Sequence, residues 1–248
     1  MFTFYDFEVF RHDWLVVFER NGQITRIHND RDALTRFLSN INFLVGFNNY
    51  NYDDYILAAL LKNKDPYEIS QELIQDKRPK LTLNKPITLD VMQELKMGVS
   101  LKETQANRGL NIHETPVDFN LNRKLTEEEI ERTFQYCEND VLTTKELFEE
   151  REDYFSSKFE IVQTFKLPAA SVKKTRASLS ADVLKCKKIN LPNDRLNIRY
   201  DERLLINELP KDVVQFYEEI KQDFKNGTDY KELESRKYEC EITGVPHV

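Results

Sequence analysis

Apolar and polar residues follow strand-like patterns over the first 28 positions of the chain, and three β-strands are predicted there. These strands cover Phe2–Phe10, Trp14–Glu19 and Gln23–His28. Between the second and the third lie Arg20, Asn21 and Gly22, which are turn residues of a tight hairpin. We therefore expect the chain to begin with three antiparallel strands.

From residue 30 onward the pattern changes, and helical periods alternate with short apolar runs. The predicted elements are a helix over Asp30–Ser39, a strand over Asn42–Phe47, a helix over Asp53–Lys62, a helix from Pro66 to about Gln75, a strand over Ile87–Val91 and a helix over Ser100–Asn107. Strands and helices in this order predict an α/β fold with a mixed sheet flanked by helices.

A long helix is predicted from Thr126 to about Asp153. Thr126 and Glu129 have the spacing of a capping box, and the acidic residues of the first turn suit the helix dipole. Tyr136 and Asp140 are four residues apart and lie beside the apolar stripe, at the margin of the predicted core, where they either reach a cleft or are ordinary boundary residues. The stripe itself consists of Ile130, Phe134, Cys137, Val141 and Phe148.

Composition describes a globular chain of one or two units. The 248 residues include 36 Lys and Arg against 43 Asp and Glu, which gives a formal net charge of −7. The longest apolar run, Ile56–Leu61, is far shorter than a membrane-spanning helix needs, and the N-terminus has no secretion-signal pattern. Three widely spaced cysteines without a CxxC pair indicate a reducing, cytoplasmic environment. No membrane partner is expected.

Charge is distributed unevenly along the chain. From Lys158 to Arg199 there are ten basic residues against three acids, whereas Thr126–Asp153 carries eleven acids against three basic residues. The acidic average therefore does not exclude a nucleic-acid partner, because the basic stretch offers a separate surface for phosphates. Lys173, Lys174 and Arg176 in that stretch either contact phosphates or form a solvated helix face.

Two acids interrupt one face of the first strand. Asp6 and Glu8 are two residues apart, so they point the same way, with Cβ atoms within about 7 Å. Two partly buried like charges at this separation repel each other and raise each other's pKa, so a cation is expected beside them. The alternative is an ordinary pair of acids on a solvated edge of the sheet.

A third acid, Asp53, follows a buried strand and begins a helix. Ligands of open α/β sheets bind at this edge, and Asn48 and Asn49 lie on the same loop. Alternatively, Asp53 is only the N-cap of the helix that follows. Asp90 is interpreted as a strand-end residue. The four histidines have no zinc-site spacing.

These elements, in this order, resemble three motifs of the DnaQ-like 3′–5′ exonucleases. Tyr5-Asp6-Phe7-Glu8 resembles the Asp-x-Glu motif, Asn48-x-x-x-Tyr52-Asp53 the second motif, and Tyr136-Cys-Glu-Asn-Asp140 the third. The third has the Tyr-x-x-x-Asp form that is typical of proofreading domains of family A and B DNA polymerases. The first 155 residues are also similar to the amino-terminal region of phage-encoded DNA polymerases.

The resemblance implies a ribonuclease H-like fold in which Asp6, Glu8, Asp53 and Asp140 bind two Mg²⁺ or Mn²⁺ ions. It further implies that Tyr136 orients the attacking water. Backbone near Phe7 and the amides of Asn48 and Asn49 would hold the terminal nucleotide, and the second motif leaves open which of the two asparagines does so.

The implied activity is removal of 5′-mononucleotides from single-stranded or frayed DNA 3′ ends. The expected domains are an exonuclease domain over 1–155 and a mostly helical extension over 156–248 leading toward a polymerase core, with no polymerase activity in this chain. Expected partners are DNA 3′ ends and a DNA polymerase core or other replication proteins, in the cytoplasm of a bacterial host for a phage-encoded chain. The alternative is a non-catalytic exonuclease-fold module. The sequence leaves open whether the substrate is DNA or RNA. It also leaves open whether the chain is a truncated polymerase or a free-standing exonuclease.

Overall fold

The computed structural model describes residues 1–95, 100–107, 117–186, 210–227, 238–239 and 246–247. Contacts divide the chain into two compact units, Met1–Cys186 and Lys187–Val248. The first unit contains the expected exonuclease region, 1–155, together with the helices that follow it to residue 183.

A five-stranded mixed sheet forms the centre of the first unit. Its order is β3-β2-β1-β4-β5; β1, β2 and β3 are antiparallel neighbours, and β4 and β5 run parallel to β1. The strands are β1 (Thr3–Val9), β2 (Trp14–Arg20), β3 (Gln23–His28), β4 (Phe43–Gly46) and β5 (Ile87–Asp90). All five predicted strands are confirmed, as is the hairpin turn, where Asn21 and Gly22 have φ of 54° and 80°.

Helices flank this sheet, which confirms the α/β prediction. They are α1 (Arg31–Leu38), α2 (Asp53–Leu61), α3 (Pro66–Ile74), α4 (Leu101–Asn107), α5 (Glu127–Glu150), α6 (Glu152–Thr164) and α7 (Arg176–Val183), with a 3₁₀ helix at Ala169–Lys173. The α5 capping box is present: the Thr126 hydroxyl accepts the Glu129 N–H, and the Glu129 carboxylate accepts the Thr126 N–H. Among the described helices, none is long and apolar enough to cross a membrane.

The two faces of the central strand β1 belong to two different cores. Tyr5, Phe7 and Val9 pack with α1, α2 and α3, whereas Phe4 packs on the opposite face with α5 and α6. Alternation along the strand therefore places Asp6 and Glu8 on the face that α5 covers. Both faces of β1 are buried, as a central strand requires.

Helix α5 ends three residues before its predicted end, and α6 begins immediately after it. At the junction, the Arg151 guanidinium donates to the carbonyls of Val91 and Gln93, so this residue is held by the turn after β5. Lys158 of α6 is 2% exposed and donates to the Gln93 amide oxygen at 2.6 Å. These polar contacts fix α6 to the end of the parallel part of the sheet.

In the second unit, the described elements are α8 (Lys211–Lys225) and two short antiparallel strands, β6 (Tyr238–Glu239) and β7 (Pro246–His247). The basic residues Lys187 and Lys188 and the third cysteine, Cys240, lie outside the described residues.

The buried ammonium of Lys158 makes the stability of the first unit depend on pH. Burial lowers the pKa of Lys158 to about 8, so between pH 8 and the ordinary lysine pKa the unfolded chain binds more protons than the folded one. Stability conferred by this position therefore rises with pH across that window.

We expect Lys158→Met to lack this rise, so that its unfolding free energy relative to the wild type falls between pH 8 and 10. Urea denaturation of both proteins at each pH measures the difference, and Lys64→Met, at an exposed lysine, is the control; parallel pH profiles for all three proteins would contradict it.

Candidate active site

The candidate site lies between the second half of β1, the start of α2 and the middle of α5, and this region is called the cleft. The pairing of β1 with β4 ends at Phe4 and Val45, so the last half of β1 has no strand beside it on that side. The N–H of Phe7 donates instead to Oδ1 of Asp53, the first residue of α2, at 3.1 Å. Asp53 is therefore fixed against β1, and the N-cap of α2 is Tyr52, not Asp53.

Helix α5 contributes the other side of the cleft. Asp140 is 8% exposed and accepts a hydrogen bond from the Gln105 amide of α4 at 3.3 Å. Tyr136 lies one turn earlier on α5 and is partly exposed. Between them, the fully buried thiol of Cys137 donates to the Asp6 carbonyl oxygen and to its Oδ2, at 3.3 and 3.4 Å.

The four predicted carboxylates influence one another strongly. Burial raises the pKa of Asp6, and the charges of Glu8 and Asp140 raise it further. Burial, followed by the charges of Asp140 and Asp53, raises the pKa of Glu8 to about 8. Burial and the Asp6 charge raise the pKa of Asp53 as well. The structure thus places Asp6, Glu8, Asp53 and Asp140 close enough together that the charge of one acid disfavours the ionisation of another.

The neighbouring acid Asp54 has a different environment. Its Oδ1 accepts from the Tyr5 hydroxyl at 2.7 Å and from the Asn49 amide at 3.0 Å. Its Oδ2 accepts from the Thr88 hydroxyl at 2.6 Å and forms an ion pair with Lys173 at 3.3 Å. Asp54 therefore connects β1, β5, the loop before α2 and the 3₁₀ helix.

Asp90 supports the loop that carries the two asparagines. Its carboxylate accepts the N–H groups of Asn48, Tyr50 and Met92. Burial raises the pKa of Asp90 to about 6, although these three hydrogen bonds oppose the shift. Asp90 is thus a strand-end residue, as predicted, and it also holds the loop in place.

The predicted substrate contacts have unequal access to the cleft. The Asn49 side chain is fully buried against Asp54, and its Oδ1 has no hydrogen-bond partner among the described residues, whereas Asn48 is partly exposed at a φ of 58°. Gly46 makes room for Asn49, because a Cβ at Gly46 would lie 2.8 Å from the Asn49 Cβ. The Phe7 side chain is 3% exposed, so only its backbone borders the cleft.

The donor chemistry of the four acids fits a hard divalent cation, because all four offer carboxylate oxygens. For Asp6, Glu8 and Asp53, the neighbouring charges that shift the pKa most belong to other acids. As the side chains stand, however, the described residues contain no group of three or more His, Cys, Asp or Glu that could hold a metal ion. Burial and the neighbouring negative charges favour a cation here. The carboxylate oxygens, however, do not already converge on one point that an ion could occupy.

The predicted phosphate-binding cations of the 3₁₀ helix and its surroundings are engaged in ion pairs. Lys173 pairs with Asp54, Lys174 with Asp182, and Arg176 with Glu94. All three are therefore ion-paired in this conformation, and Lys174 and Arg176 are also exposed, in agreement with a solvated face.

Comparison of the chain with protein-family models, with curated proteins and with solved structures finds no match. The exonuclease resemblance thus rests on the motif residues of the sequence alone.

Sequence reasoning missed Asp54, Gln105 and Lys102, which surround the predicted acids. Asp54 offered one signal, because it is a second acid in an otherwise apolar helix. The other two stand in a short polar helix whose pattern carries no such signal.

Asp53 and Asp54 are adjacent acids with opposite expected responses to the same substitution. Asp54→Asn replaces an acceptor by an amide that faces other donors, and we expect the unfolding free energy to fall by about 3 kcal/mol. Asp53→Asn keeps an acceptor for the Phe7 N–H and removes a carboxyl whose ionisation is disfavoured by burial and by the Asp6 charge, so we expect stability within about 1 kcal/mol of the wild type. Urea denaturation at pH 7 compares the two, and equal losses would refute the distinction.

Proposed function

We propose that this chain is a divalent-metal-dependent 3′–5′ exonuclease that releases 5′-mononucleotides from DNA 3′ ends. The observation that carries the proposal is the meeting of four acids from β1, α2 and α5: the Phe7 N–H holds Asp53 against β1, and the Cys137 thiol of α5 donates to Asp6. The charges of these acids raise one another's pKa. Desolvated like charges destabilise a fold, and their retention together is typical of a site that neutralises them with a bound cation.

The sheet supports the finer fold assignment that the motifs imply. A mixed sheet with three antiparallel strands followed by two parallel ones, and with helices on both faces, is consistent with a ribonuclease H-like fold. The first motif lies on β1, the second at the start of α2 and the third within α5, as the resemblance implies.

Asp6, Glu8, Asp53 and Asp140 would hold two Mg²⁺ or Mn²⁺ ions. Bound there, such ions lower the pKa of a water and stabilise the charge that develops on the leaving 3′-oxygen. In the reaction, the water oxygen bonds to the phosphorus of the last nucleotide and the bond from phosphorus to the 3′-oxygen breaks. The attacking water gives up a proton to solvent, and the leaving oxygen takes up a proton from solvent, which restores a 3′-hydroxyl on the shortened strand.

The chain's own groups position these reactants. Tyr136, one turn before Asp140 and at the cleft surface, would orient the water through its hydroxyl, since a phenol is a poor base at neutral pH. Asn48 is the more accessible of the two asparagines and would contact the terminal nucleotide. Asn49 would act indirectly, by fixing Asp54 and with it the start of α2.

Removing the first motif should abolish cleavage. We expect Asp6→Ala with Glu8→Ala to lower the rate of mononucleotide release from a labelled single strand by about 10³-fold or more, because several kcal/mol of metal stabilisation are lost. Product analysis of strands labelled at either end, with Mg²⁺ and with EDTA, measures the rate and the direction.

Glu127→Ala with Glu128→Ala is the matched control, since these two acids are exposed at the start of α5. It should cleave at the wild-type rate. Full activity of the Asp6 and Glu8 double variant would exclude the proposed site. Oligonucleotide binding by the wild type without any metal-dependent cleavage would favour the non-catalytic module. Parallel assays on RNA and duplex DNA define the substrate.

The acids should also make metal-free stability depend on pH. The folded pKa of Glu8 lies near 8, above its ordinary value, so the cost of ionising it is absent at low pH and grows as pH rises toward 8. We expect Asp6→Asn with Glu8→Gln to remove this decline and to melt at a higher temperature than the wild type at pH 8 in EDTA.

Mn²⁺ should reverse the order of the two proteins. A ligand present at 100 times its Kd stabilises the folded state by about 2.7 kcal/mol, and only the wild type keeps the ligands. Thermal melting at pH 8 with and without Mn²⁺ gives both comparisons. An equal Mn²⁺ effect on both proteins would place the metal elsewhere.

A further inference from the structure

Helix α4 is held against the acidic side of the cleft by one buried amide. Gln105 is 1% exposed, and its Nε2 donates to Oδ1 of Asp140 at 3.3 Å and to the Thr143 hydroxyl at 3.0 Å. Both acceptors belong to α5. The rotation of α4 about its own axis is therefore fixed relative to Asp140.

Lys102 precedes Gln105 by three residues, so the two side chains lie on neighbouring parts of one helical face. The Lys102 ammonium lies 5.5 Å from the centre of the Tyr136 ring, in a cation–π contact. The Lys102 charge also lowers the pKa of Glu8, although burial and the neighbouring acids raise that pKa by more. Lys102 is thus a partly exposed cation at the edge of the acidic cleft.

Two other lysines of the first unit are paired with carboxylates. Lys145 pairs with Glu19 at 2.9 Å, and Lys173 pairs with Asp54. The ammonium of Lys102 lies instead over an aromatic ring, and a contact with a ring face does not use all three of its N–H donors. Such an ammonium is held in place and can still donate to an incoming anion.

We infer that Lys102 binds the phosphate of the nucleotide that is cleaved and holds it beside Tyr136 and Asp140. This inference rests on the proposed function. A polyanionic strand must approach four carboxylates, and a cation on the rim opposes that repulsion at the reacting phosphate. A lysine ammonium suits this role because it is a compact point charge on a flexible stem.

The test compares Lys102→Met and Lys102→Arg in the full chain, with Lys64→Met as the matched control at an exposed lysine. Methionine keeps the length and the packing on Tyr136 but removes the charge. We expect Lys102→Met to lower the single-turnover cleavage rate by about 10²-fold, Lys102→Arg to retain most of it, and Lys64→Met to match the wild type.

Binding gives a second readout that loss of packing would not change. With a labelled single strand of roughly 12 thymidines in EDTA, Lys102→Met should reduce the slope of log affinity against log salt by about 0.7, the value of one phosphate contact. Melting temperatures confirm that each variant is folded.

The outcomes separate the two proposals. If the wild type cleaves and Lys102→Met stays within twofold of it with an unchanged salt slope, the role of Lys102 is refuted and the exonuclease stands. If the wild type itself shows no metal-dependent cleavage, both fail. A slower rate in Lys102→Met with an unchanged salt slope would also overturn phosphate binding, because it would assign Lys102 to packing.

Discussion

The buried carboxylate of Asp54 is the interaction on which the candidate site depends. Its two oxygens accept four donors, from β1, from β5, from the loop before α2 and from the 3₁₀ helix. Ordered polar networks of this kind are rigid, because each donor loses its partner if any element moves. Asp53 is the preceding residue, so its position against β1 follows from the arrangement of Asp54.

The different environments of Asp54 and its neighbouring acids explain how the fold remains stable with several acids in one cleft. Asp54 is surrounded by donors and contributes to stability, whereas Asp6, Glu8 and Asp53 stand among acids that disfavour their ionised forms. Stability and the proposed chemistry therefore make opposite demands on adjacent positions. Local destabilisation of this type persists only where the surrounding structure over-determines the geometry.

Much of the fold could be predicted because the decisive signals are local. The Asn21-Gly22 turn, the Thr126 capping box and the alternation that turns Asp6 and Glu8 toward α5 each lie within a few residues. The finer ribonuclease H-like assignment and the role of every site residue stay predictions.

The parts that sequence reasoning missed depend on contacts between distant residues. The partners of Asp54 include Tyr5, Thr88 and Lys173, which are 49, 34 and 119 positions away. No periodicity or spacing encodes such pairs. The same reason accounts for Lys173, which the charge pattern assigned to phosphates or to solvent and which the structure pairs with a buried acid.

Cys137 presents a related case, since its place in the apolar stripe of α5 was evident from the sequence and its contact with Asp6 was not. That thiol is fully buried between α5 and β1 and its pKa is raised by burial, whereas Cys186 is exposed. Alkylating reagents act on exposed thiolates, so Cys137 can react only when α5 separates locally from β1. Its rate of labelling would therefore report how often the wall of the cleft opens, a kinetic property of the site that no substitution is needed to observe.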